Sequence, residues 1–134
     1  DSGKETAEPL PKAEMFGSVT RSAALVGDGI GDLVVMVFEE SPMQNSSSPP
    51  VAWSIGEADF SAEGSRVSYE VDGIPLRDEP YSIIVFLDDD LSGSTVGANT
   101  GDLVALEPMM SFPQVTLESP LSYEVDFDLN VVVP

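Results

Sequence analysis

Asp88, Asp90 and Ser92 occupy alternate positions in the run Asp88-Asp89-Asp90-Leu91-Ser92-Gly93-Ser94. The run follows directly on an apolar segment from Tyr81 to Leu87. Calcium takes about six to eight oxygen ligands at roughly 2.3–2.6 Å, from carboxylates, carbonyls and water. A loop that coils around the ion presents ligands at alternate residues, and Gly93 suits the sharp turn that follows the third of them. The Ser94 carbonyl is placed to be a fourth ligand. Asp102, after Gly101, re-enters at the start of the next apolar segment and can close the site. The candidate metal ligands are therefore Asp88, Asp90, Ser92, Ser94 and Asp102, with Ca2+ as the ion. Three consecutive carboxylates repel one another, so an ordered loop needs water or a cation among them. Magnesium fits less well, because it accepts fewer protein ligands.

The spacing departs from the helix-loop-helix calcium site. The twelfth loop position is Asn99, which cannot chelate as a bidentate carboxylate, and the entering segment reads as a strand. This is an aspartate loop in a β context. Asp28-Gly29-Ile30-Gly31-Asp32 is a second acidic, glycine-rich turn that could lend a ligand or simply connect two strands. Gly31-Asp32-Leu33-Val34 is echoed by Gly101-Asp102-Leu103-Val104, and both read as a turn entering a strand.

Composition removes most other chemistry. The chain has 134 residues with no cysteine and no histidine. Thiol nucleophiles, disulfides, imidazole bases and soft-metal sites are thus absent. Twenty-four acidic residues against 5 basic ones give a formal net charge of -19, which repels nucleic acid and anionic lipid. A glycosidase needs two carboxyls about 5–9 Å apart in a substrate cleft, and so small a domain leaves little room for one. The chain reads as non-enzymatic. The longest apolar run, from Leu33 to Phe38, is far short of the roughly 20 residues that span a bilayer.

The elements that must carry this loop are strands. Residues 1–14 are polar and proline-containing and read as a disordered tether. Residues 15–134 read as one domain of about 120 residues, long enough for a core. Short segments rich in valine and aromatics, bounded by Gly, Pro, Asp and Ser, predict strands. They run from Phe16 to Arg21, Leu33 to Glu39, Val51 to Ile55, Arg66 to Val71, Tyr81 to Leu87, Leu103 to Glu107, Gln114 to Glu118 and Ser122 to Val133. The run from Leu33 predicts burial on both faces. In the last segment, Tyr123, Val125, Phe127, Leu129 and Val131 alternate with polar residues, the clearest period of two in the chain. A turn of helix is expected at most near Phe60 to Gly64 or around Met109. Seven to eight strands at this spacing predict an all-β, two-sheet sandwich of transthyretin-like or Ig-like kind.

The segment from Val71 to Asp102 resembles bacterial secreted and surface β-sandwich domains of the transthyretin-like (prealbumin-like) kind. The resemblance rests on Ile74-Pro75, Pro80-Tyr81, Phe86-Leu87-Asp88, Asp90, Ser92-Gly93 and Gly101-Asp102. Pro80 replaces the usual glycine before the tyrosine, and Asp90 and Ser92 replace asparagines. The resemblance implies an extracellular, periplasmic or outer-surface domain with structural calcium and no catalytic activity. A start such as Asp1-Ser2-Gly3-Lys4-Glu5-Thr6, without an initiating methionine, fits the tether that follows a lipidated cysteine. The expected function is a calcium-binding domain acting in binding or assembly with another surface protein or a glycan. The alternative is a carbohydrate- or peptide-binding module built around Trp53, with the ion incidental.

Overall fold

Ala13, Met15 and Val19 are buried on a segment that interposes partly exposed residues, and this alternation makes Lys12–Arg21 the first strand, β1. The structure, a computed structural model, describes residues 12–25, 29–40, 49–88, 102–107 and 111–132. Nine further strands follow among these residues: β2 (Ile30–Phe38), β3 (Ala52–Asp59), β4 (Arg66–Pro75), β5 (Tyr81–Asp88), β6 (Leu103–Val104), β7 (Gln114–Val115), β8 (Ser122–Glu124), β9 (Phe127–Leu129) and β10 (Val131–Val132). No helix occurs among them, and none is long and apolar enough to cross a membrane.

The strands form two sheets, as the all-β expectation requires. In the four-stranded sheet β1 runs antiparallel to β4, and parallel to β8 and then β9. The six-stranded sheet runs β10-β6-β5-β2-β3, with β7 also pairing β5. Met15, Val19, Val71 and Ile74 from one sheet meet Val35, Val37, Ile83 and Val85 from the other in a single core. Leu33, Leu87 and Leu103 stand in one row across β2, β5 and β6, all facing that core. Each such buried side chain stabilises the fold by about 1.5–3 kcal/mol relative to exposure.

A second cluster covers the outer face of the six-stranded sheet: Val34, Phe38, Ile84, Phe86 and Val104, with Leu106, Phe112 and Val131 against them. Strands β2 and β5 are therefore buried on both sides, which is why their sequences are continuous apolar runs.

Two expectations need correction. The expected tether of residues 1–14 overlaps the fold, because β1 begins at Lys12 and Ala13 is buried opposite Ile74. Residues 1–11 lie outside the described residues. The expected single strand from Ser122 to Val133 is three. It breaks at Val125, where it meets Gly17 of β1, and it changes sheet at Asn130. Leu129 O accepts from Ser22 N (3.1 Å) and Ala23 N (3.0 Å) beside β1, whereas Asn130 N donates to Val104 O (3.2 Å) of the other sheet. The Asn130 side chain completes the handover, accepting from Leu106 N (3.0 Å) and donating to Leu106 O (2.8 Å). The chain end thus belongs to both sheets.

Gly17 has φ +154°, and a Cβ there would lie 2.3 Å from Val125 O. Gly64, in the β3–β4 turn, has φ +77° but open space around it. Gly17→Ala should cost about 2 kcal/mol or more in urea unfolding, and Gly64→Ala about 1 kcal/mol, since only the first must also displace backbone. Equal costs would show that crowding against Val125 contributes nothing.

Candidate metal centre

Asp88 ends β5, and the register determines what stands beside it. Asp32 of β2 pairs directly with Asp88, and on its other side with Glu57 of β3. Across from β2, Leu103 of β6 pairs with Leu87, so one further step brings Asp102 alongside Asp88. Asp102 is fully buried, and Oδ1 of Asp88 is shielded from solvent. Four carboxylates, Glu57, Asp32, Asp88 and Asp102, therefore follow one another across four strands at one end of the six-stranded sheet.

The Gly-Asp-Leu-Val echo acquires a meaning here. Leu33 and Val34 pair with Leu87 and Phe86 from one side, and Leu103 and Val104 pair with the same two residues from the other. Each copy sets a leucine in the core, a valine in the outer cluster and an aspartate at the mouth of the loop. The likeness comes from flanking the same strand, and the first Gly-Asp is no turn, because Gly31 and Asp32 already pair within β2.

Asp32, Glu57 and Asp59 also line a shallow cleft of about 310 Å³, with Ile30, Gly31 and Ala58. Ser61 hydrogen-bonds Asp59 through Oγ (2.6 Å) and N (2.9 Å), and these bonds hold the Asp59 carboxyl below its ordinary value. Like charges directly opposite one another on neighbouring strands destabilise a sheet. The row from Glu57 to Asp102 thus concentrates like charge at one end of the sheet.

Of the five residues expected to ligate a metal, Asp88 and Asp102 are described, and the structure brings their strands side by side. Asp90, Ser92 and Ser94 lie outside the described residues, as does Asp28. Among the described residues, no group of three or more acidic side chains is arranged to hold a metal ion by itself. Asp32 is the residue that strand patterning alone does not single out. Its signal was the Gly-Asp echo.

Asp126 is exposed and Asp128 half-buried, and both accept hydrogen bonds from β1 and the residues after it. Asp126 Oδ1 accepts from Ser18 N (3.0 Å) and Oγ (3.3 Å), and Asp128 accepts from Thr20 Oγ1 (2.9 Å) and Ser22 Oγ. They fasten the C-terminal strands to β1. Trp53 is 59% exposed and so is not a core residue.

A separate acidic pair lies on the four-stranded sheet. A hydrogen bond with the Glu14 side chain raises the Glu70 carboxyl above its ordinary value. The Glu14 charge, desolvation and the Asp72 charge act in the same direction. Ser122 Oγ donates to Glu14 Oε1 (2.8 Å). A carboxyl that holds its proton more tightly folded than unfolded stabilises the fold at acid pH. That contribution is complete below the unfolded value and is lost as pH rises through the folded one. Glu70→Gln should therefore raise the neutral-pH melting midpoint and flatten its fall as pH rises above the ordinary glutamate range. A variant that melts lower than the parent at pH 7 would contradict this.

No protein-family model, no curated protein and no solved structure matches this chain.

Proposed function

We propose that this chain is a non-enzymatic, calcium-binding β-sandwich domain of an exported or surface protein, acting in binding or assembly. The observation that carries the reading is the register that sets Asp32 and Asp102 on either side of Asp88, at the mouth of a loop whose next residues are Asp89 and Asp90. Hard oxygen donors are the only metal chemistry in a chain without histidine or cysteine, and calcium suits them. The ion would be held by Asp88, Asp90, Ser92, Ser94 and Asp102, with Asp32 adjacent, and its task would be structural. The resemblance to transthyretin-like surface domains supports the same reading. A second reading, a carbohydrate- or peptide-binding module with an incidental ion, is favoured by the exposure of Trp53 and Ile55.

Calcium at a hundredfold excess over its Kd should stabilise the fold by about 2.7 kcal/mol, a rise of roughly 10 °C in melting midpoint over the chelated protein. Asp88→Asn combined with Asp90→Asn should abolish that rise while leaving the chelated midpoint near the parent's. Asp32→Asn should reduce it less. A midpoint that is the same in calcium and in chelator would remove the structural ion from the proposal.

A further inference from the structure

Strand β3 is the last strand of the six-stranded sheet, and its outer side pairs no strand among the described residues. Phe60 N donates to Gly29 O (2.7 Å), and the β2–β3 register runs unshifted from Ile30–Asp59 to Val37–Ala52. Bonded pairs alternate along an antiparallel ladder. Ala58, Gly56 and Ser54 therefore bond to β2, and the N–H and C=O groups of Glu57, Ile55 and Trp53 face the open side. The same residues carry the exposed side chains: Trp53 is 59% and Ile55 57% exposed, beside Met36 and Val34 in register. On the opposite face a Cβ at Gly56 would meet nothing within 4 Å.

Edge strands are ordinarily guarded by lysine, proline, bulges or a covering element. The stretch Trp53-Ser54-Ile55-Gly56 has none of these residues and no register shift. What stands at its end is acid: Glu57, Asp59 and, one strand in, Asp32. A second copy would bring another -19 against that edge, so self-pairing is opposed. A glycan would leave the outward-facing peptide groups without a matching ladder.

We infer that β3 accepts an extended, basic and apolar segment of a partner protein as a further strand of the six-stranded sheet. Its apolar residues pack on Trp53 and Ile55, and its lysines or arginines meet Glu57 and Asp59. Main-chain hydrogen bonds supply affinity, and the alternating side chains set register. The inference rests on the reading of the chain as a binding domain and does not require the ion.

Trp53 is the only tryptophan, so its emission reports on this edge. The probe is an end-blocked ten-residue peptide of alternating Val and Lys, with a Val-Glu peptide as control. The Val-Lys peptide should shift the emission to the blue and saturate, with a Kd that rises with salt. The Val-Glu peptide should do neither. Ile55→Pro sacrifices only an outward-facing N–H, so it should keep its melting midpoint near the parent's and weaken binding about tenfold or more. Ile55→Lys, at an exposed position, should weaken it similarly and serves if the proline variant unfolds. Three results would overturn the inference: no shift, equal response to both peptides, or binding unchanged in both Ile55 variants, which would mean diffuse attraction to the acidic surface. Concentration-dependent dimerisation lost in Ile55→Lys would assign the edge to a second copy instead. Binding should be the same in calcium and in chelator, so a failed ion proposal leaves this result standing.

Discussion

Burial of β5 on both of its faces is the constraint on which the rest of the structure depends. Seven of its eight residues are buried, including Ser82. Strands β2, β6 and β7 all hydrogen-bond to it, and one face of it builds the inter-sheet core while the other anchors the outer cluster. A strand in that position cannot slip. A one-residue shift would turn Leu87 and Val85 out of the core and bring Asp88 toward it. The same rigidity that holds the sandwich also holds Asp88 at a fixed height beside Asp32 and Asp102. The turn that delivers β5 is itself braced. Arg77 donates to Glu39 O (2.7 Å), Glu79 O (3.1 Å) and Pro80 O, and lies 4.5 Å from the centre of the Tyr81 ring.

Most of the strands were legible because they obey local rules. The continuous run around Leu33 to Phe38 announced two-sided burial, and the alternation of Val67, Tyr69 and Val71 announced a strand with one buried face. The end of the chain was misread for an equally physical reason. Its period of two is unbroken through Phe127, Leu129 and Val131, and nothing local marks the point where Asn130 passes from one sheet to the other. That change is determined by Leu106 and Val104, more than twenty residues earlier. The start of β1 was missed because Lys12 and Glu14 look like a polar linker, while the partners of the segment, Ile74 and Pro75, lie sixty residues on. The acidic row was half legible. Spacing within one loop can nominate Asp88 and Asp90, but the approach of Asp32 is a matter of cross-strand register.

The six-stranded sheet distributes its charge and its apolar surface unevenly. Along its outer face the row at Val34 and Phe86 is apolar from Ile55 to Val131, and the next row on that face, from Glu57 to Asp102, is wholly acidic. Burial by Leu106 and Phe112 covers the middle of the apolar row and stops short of Ile55. One sheet therefore offers an acid-lined end suited to a cation and an apolar edge suited to a strand. The two meet at Glu57.

The parallel alignment of β1 with β8 and β9 also determines how the domain bears load. Lys12 and Ser122 begin the paired strands at one end, and Arg21 and Leu129 finish them at the other. A pull on residues before Lys12 against residues after Leu129 acts along this ladder from opposite ends. Its hydrogen bonds are then strained together in shear, where a hairpin pulled from one end would unzip them one at a time. Asn130, clasped to Leu106, and Asp126 and Asp128, fastened to the hydroxyls of β1, stand in the line of that force.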